Sequence, residues 1–128
     1  MNILKRTQDL HALLDQGKDL EALDIFFHED LVATEMPDGS TRHGVEAQKK
    51  AVEEFMAMVQ DVHGGGTKTI TANEEAAVSM AESWMEATYK GAPGPVKISE
   101  ITVYRWQGDK IKEMNFYYHN PMAEAQPQ

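Results

Sequence analysis

The second half of the sequence limits the fold most. Stretches of strand character follow one another at 67–72, 77–90, 96–106 and 111–119, separated by Asn73-Glu74-Glu75, by 91–95 and by Gln107-Gly108-Asp109. Consecutive strands joined by short loops form an antiparallel meander. Strands this long twist and coil, so one face turns concave. A concave apolar face has to be covered, and the first half of the chain must cover it.

That first half is helical. Ile3, Leu4, Thr7, Leu10, His11, Leu13 and Leu14 recur at helical spacing as far as Gly17, a natural stop. Asp19 is placed to cap a second short helix with Leu20, Leu23, Phe26 and Phe27 on one face, ended by His28-Glu29-Asp30. Residues 31–35 read as a strand, Pro37-Asp38-Gly39 as a turn and 40–43 as a short returning strand. Gly44 opens a third helix over 45–60, with Ala51, Val52, Phe55, Met58 and Val59 inward. Helices followed by a run of strands define an α+β fold. The expected shape is a cone, a strongly curved antiparallel sheet with three helices on its concave face. At 128 residues the chain suits one domain, here 1–119, with 120–128 (Pro121 and Pro127 included) as a frayed tail. Helices laid across such a sheet leave room for a pocket at the wide end.

Composition removes several function classes. The formal net charge is -9, which repels phosphate backbones and anionic lipid, so neither nucleic acid nor membrane is an expected partner. There is no cysteine, hence no disulfide and no thiolate chemistry. The histidines, at 11, 28, 43, 63 and 119, lack metal-ligand spacing, so neither metal nor cofactor is expected. His63-Gly64-Gly65-Gly66 lacks the Lys-Ser/Thr of a phosphate loop and reads as a mobile mouth between the third helix and the sheet. The opening residues turn polar at once, with no signal-peptide core, and the expected location is the cytoplasm.

The motifs Asp19-Leu20-Glu21-Ala22-Leu23, His28-Glu29-Asp30-Leu31-Val32, Arg42-His43-Gly44 and Val103-Tyr104-Arg105-Trp106-Gln107-Gly108-Asp109-Lys110-Ile111 stand in a telling order. In that order the chain resembles the nuclear-transport-factor-2-like superfamily, closest to its polyketide-cyclase-like and ketosteroid-isomerase-like branch, over about residues 8–119. The resemblance implies a pocket under the sheet. Some members isomerise, dehydrate or cyclise small apolar substrates there. Others only bind ligands or partners, so fold alone does not give function. The expected function is binding of a small apolar or polyketide-like molecule, with acid–base catalysis as its extension. A non-catalytic binding or dimerisation module is the alternative.

The resemblance makes Glu35 the first candidate, because isomerase-like relatives carry a general base at the matching place. Apolar neighbours Phe27, Phe55 and Met58 would lift such a carboxylate toward neutrality. The relatives' two enolate donors correspond here to His11 and Thr102. Neither reproduces the relatives' pair, which leaves a different proton-transfer or dehydration reaction. Alternation places Glu100, Thr102, Tyr104 and Trp106 on one face of their strand. A three-residue loop, Gln107-Gly108-Asp109, aligns that face with Met114, Phe116 and Tyr118, whereas a two-residue loop reverses it. The family match favours the first. Glu100 then enters an apolar cone and must be protonated, hydrogen-bonded or paired, with Tyr104, Tyr118, His11 and His63 as candidate partners. Glu35 and Glu100 form a candidate base and acid. The bare convex face, with Ile101, Val103, Tyr117 and an undecided Trp84, is the expected homodimer surface.

Overall fold

The computed structural model describes residues 2–119. The elements run α1 (Ile3–Leu14), α2 (Asp19–Phe26), β1 (Phe27–Glu35), β2 (Ser40–His43), α3 (Val45–Met58), β3 (Val59–Asn73), β4 (Val78–Tyr89), β5 (Pro95–Gln107) and β6 (Lys110–Tyr118). The strands form one sheet in the order β2-β1-β6-β5-β4-β3. The α+β reading holds, but the sheet is mixed: β1 pairs with β6 in parallel and every other pair is antiparallel. A hairpin forces antiparallel pairing, and no hairpin joins β1 to β6. The expected tail, 120–128, lies outside the described residues.

α1 buries Ile3, Thr7, Leu10 and His11, one stripe of a helix. The Asn2 side chain caps its start at Lys5 N. Glu74, in the turn after β3, accepts from the backbone N–H of Ile3 (2.8 Å) and Leu4 (2.9 Å). A carboxylate satisfies free donors at a helix N-terminus, and those two bonds hold Glu74 below its usual pKa. Deeper in, Thr7 Oγ1 lies 2.7 Å from Ser79 Oγ, which also accepts from Trp106 Nε1 at 2.9 Å. This polar spine pins α1 to β4 and β5 through the core, among Leu10, Leu23, Phe26, Leu31, Ile111 and Met114.

Several boundaries differ from the sequence reading. Lys18, not Asp19, is the N-cap of α2, and Asp19 is its first helical residue. Strand β1 begins at Phe27 rather than Leu31, because Phe27 is buried and pairs with Ile111. A register shift follows, with Glu29 and Asp30 exposed. α3 lies against β1, β2 and the start of β3. In its last turns Phe55 meets Tyr89 of β4 edge-on, with ring centroids 5.9 Å apart, yet Phe55 stays 38% and Met58 59% exposed instead of inward.

The glycine run is strand, not a mobile mouth. Gly64, Gly65 and Gly66 lie inside β3, paired with Glu86, Met85 and Trp84. A Cβ on Gly65 would sit 2.9 Å from the Trp84 carbonyl oxygen, and one on Gly64 3.0 Å from the Trp84 ring. These glycines permit close approach rather than mobility. The β5–β6 hairpin has the two-residue loop, Gly108-Asp109, with Gly108 at φ 62°. A bulge then intervenes between the pairs Trp106↔Ile111 and Arg105↔Glu113. The extra residue reverses the faces a second time, so Thr102 still aligns with Phe116 and Tyr104 with Met114.

Gly65→Ala is expected to lower stability by about 1–3 kcal/mol, because the obstructing atoms are backbone. Gly66→Ala meets nothing within 4 Å and should leave stability unchanged. Urea denaturation of the two variants checks this, and equal losses would contradict the close-packing account.

Candidate active site

Leu31 and Ala33 are buried on the inner face of β1, and Glu35 follows them two residues on. Its carboxylate is held at both oxygens. Oε2 accepts from Arg42 Nη2 and Oε1 from the Tyr118 hydroxyl, each at 2.7 Å. The Arg42 Nε–H donates in turn to Gln48 Oε1 at 2.7 Å, and Gln48 is the buried residue of α3. Elements β1, β2, β6 and α3 therefore meet at one carboxylate. The ion pair is three-quarters shielded, with side chains 20% and 24% exposed. Along the chain Arg42 belongs to the Arg42-His43-Gly44 motif, which by itself names no partner for the guanidinium. The hairpin held its signal: Ala33↔Arg42 places the guanidinium diagonally across from Glu35.

Glu100 lies directly across from Tyr118, with Thr102 across from Phe116. Burial pushes the Glu100 carboxyl up to about 7, and the nearby charge of Glu35 adds to the effect. Among the described residues Glu100 has no hydrogen-bond partner. The Tyr118 hydroxyl goes to Glu35, and burial followed by that bond raises the phenol above its usual pKa. His63 is exposed and bonds Thr88 at 2.7 Å, on the face opposite the buried Ala87 and Tyr89, away from Glu100.

His11 and Tyr104 meet on the inner face, with Nε2 2.9 Å from the tyrosine hydroxyl. His11 Nδ1 lies 2.8 Å from Thr67 Oγ1. Both ring nitrogens are thus engaged, which leaves His11 no free donor for a ligand. Burial lowers the His11 pKa. Thr102 is 2% exposed. Phe27 packs edge-on against Tyr104, with ring centroids 6.4 Å apart. Met114 is buried and Phe116 half-buried behind them, while Phe55 and Met58 stand at the rim. Trp84 falls on the outer face, where Lys97 Nζ lies 4.9 Å from its ring centre. Two shallow depressions also lie along the sheet, one lined by Glu82, Ser99, Glu100, Ile101 and Tyr117 and the other by Thr69, Thr71, Met80, Ala81, Glu82 and Ile101. Among the described residues no cluster of His, Cys, Asp or Glu could hold a metal ion. No described helix is long and apolar enough to cross a membrane.

Three helices packed on a six-stranded, curved, unclosed mixed sheet make this a nuclear-transport-factor-2-like fold. The model of the SnoaL-like domain matches residues 8–114, and the chain belongs to that family. A Mesorhizobium loti protein assigned as a SnoaL-like polyketide cyclase is 26% identical, with a TM-score of 0.82 over 92% of this chain and 100% of that one. A Catenulispora acidiphila protein of ketosteroid-isomerase-like fold is 23% identical, with a TM-score of 0.72 over 88% and 84%. A Bacillus subtilis protein assigned as an isomerase is 15% identical, with a TM-score of 0.75 over 95% and 91%. Both of these share the fold. No curated protein matches the sequence.

A carboxyl whose pKa is higher folded than unfolded binds its proton more tightly in the native state. The stability it contributes is full below pH 4.5 and is lost as pH rises toward about 7. Glu100→Gln should remove that slope and raise stability at pH 8 relative to the parent, by up to about 3 kcal/mol. Denaturation at pH 5 and pH 8 measures the difference. Parallel pH profiles for parent and variant would show that Glu100 is not the titrating group.

Proposed function

We propose that this chain is an acid–base enzyme acting on a small, largely apolar molecule held against the inner face at the wide end of the cone. Glu100 exchanges the proton. One observation carries the reading: Glu100 stands across from Tyr118, whose hydroxyl is committed to the ion-paired Glu35. Glu35 has both oxygens occupied and serves as a fixed negative charge, while Glu100 keeps a carboxyl free to trade protons near neutral pH. Phe27, Tyr104, Met114 and Phe116 supply the apolar wall. The family and the Mesorhizobium relative support a carbonyl-rich, polyketide-like substrate, with isomerisation, dehydration or cyclisation as the chemistry.

A 1,3-diketone in D₂O is a suitable probe, read as deuterium uptake at the central carbon. Glu100→Gln should slow catalysed uptake by roughly 10²–10⁴-fold. Glu35→Gln should move the pH midpoint of the rate to lower pH, because it removes a charge that keeps Glu100 protonated. Both variants folding and exchanging at the parent rate would sink the assignment. The shallow depressions favour a second reading, a binding or dimerisation module without chemistry. No acceleration by the parent across a series of carbonyl probes would select it.

We further propose that the outer face pairs with a second copy. Met80, Ile101 and Tyr117 are all exposed there, with Trp84 alongside and Val103 buried between its neighbours. Light scattering should give twice the chain mass at micromolar concentration, and Ile101→Glu should return the monomer. A monomeric parent would refute the pairing.

A further inference from the structure

A second polar system, separate from the Glu35–Arg42–Tyr118 cluster, runs from the inner face to the surface. The direction of each of its hydrogen bonds follows from chemistry. A carboxylate only accepts, so the Thr67 hydroxyl gives its one hydrogen to Asp15 Oδ1 at 2.9 Å. Thr67 Oγ1 must then accept from His11 Nδ1–H at 2.8 Å. A neutral imidazole carries one N–H, so Nε2 accepts from the Tyr104 hydroxyl at 2.9 Å. Burial favours the neutral ring and outweighs the opposing charge of Asp15. Tyr104 shares the inner face of β5 with Thr102 and Glu100, and the carboxyls of Glu100 and Asp19 are the charges acting on that phenol. Every hydrogen in the chain points outward, and its last member, Asp15, is exposed.

We propose that Tyr104, His11, Thr67 and Asp15 form a proton relay between the inner face and solvent beyond α1. The proposal rests on the reading that Glu100 exchanges protons. The transfer balances at each atom. A proton given up by the bound substrate forms a new O–H on Tyr104 as the old one breaks and moves to His11 Nε2. The Nδ1–H bond breaks and its proton joins the Thr67 oxygen, whose own hydrogen passes to Asp15 Oδ1. One proton enters at Tyr104 and one leaves at Asp15, with no net charge left on the chain between. Afterwards each hydrogen points inward, so the next transfer runs inward. A relay that alternates suits a reaction that removes a proton and returns one. His11, Thr67 and Asp15 act through Tyr104 and are positioning residues.

Long-range ¹H–¹⁵N spectra of the labelled protein at pH 7 test the relay without substrate. His11 should be neutral and carry its proton on Nδ1. Thr67→Val should shift the ring to the Nε2–H tautomer and slow exchange of the Tyr104 hydroxyl with water by at least about tenfold. Thr67→Ser should restore both, which loss of packing would not. Asp15→Asn tests the outer end at an exposed position and should slow the same exchange. A parent ring in the Nε2–H form would overturn the proposal. So would unchanged exchange in folded Asp15→Asn or Thr67→Val protein. Glu100→Gln should leave the His11 tautomer untouched. A ¹³C titration of the Glu100 carboxyl separately tests the acid–base reading, so the two can fail independently.

Discussion

Strand β1 runs beside β6 in parallel, and that seam joins the two halves of the chain into one inner face. Parallel neighbours cannot be joined by a tight turn, so the intervening chain must leave the sheet edge and return. Here β2, α3 and strands β3, β4 and β5 lie between them in sequence. The seam sets Ala33 beside Met114 and Glu35 beside Phe116. Tyr118 then stands two residues beyond Phe116, within reach of Glu35. A shift of one residue along the seam would turn Glu35 to the outer face and leave Arg42 and Tyr118 without their acceptor.

Two glutamates on one concave face meet opposite conditions, and the number of donors around each decides the outcome. Glu35 receives a guanidinium and a phenol. Glu100 receives neither, lies partly out of water and feels the charge of Glu35. Removing a carboxylate from water is costly unless charge or hydrogen bonds compensate, so the uncompensated group retains its proton to higher pH. The asymmetry originates in the β1–β2 hairpin, which brings Arg42 to one acid and not to the other.

The sequence showed the fold class through strand spacing, and the helical stripe Ile3, Thr7, Leu10, His11 through its period. It also put Glu100, Thr102, Tyr104, Met114, Phe116 and Tyr118 on one face, although the loop assumed was one residue too long and a bulge made up the difference. Bulges leave little trace in composition, since Lys112 resembles its neighbours. The glycine run misled because glycine serves both flexible loops and tight strand contacts, and only the position of Trp84 separates the two. Helical period alone did not place Phe55 or Met58, because whether a helix face is covered depends on what the rest of the fold packs over it. The role of Arg42 is not legible in spacing along the chain, because its partner is fixed by hairpin register.

The Glu74 bridge to the start of α1 also bears on how the molecule is assembled. The bonded residues are 70 and 71 positions apart. During synthesis α1 emerges early with its first N–H groups open to water, and the acid that closes them arrives more than half a chain later. Contacts of such long range slow folding, because the loop between them must close before they contribute. The bridge can therefore form only once the β3–β4 turn has been made, so a later element completes the cap of the first one.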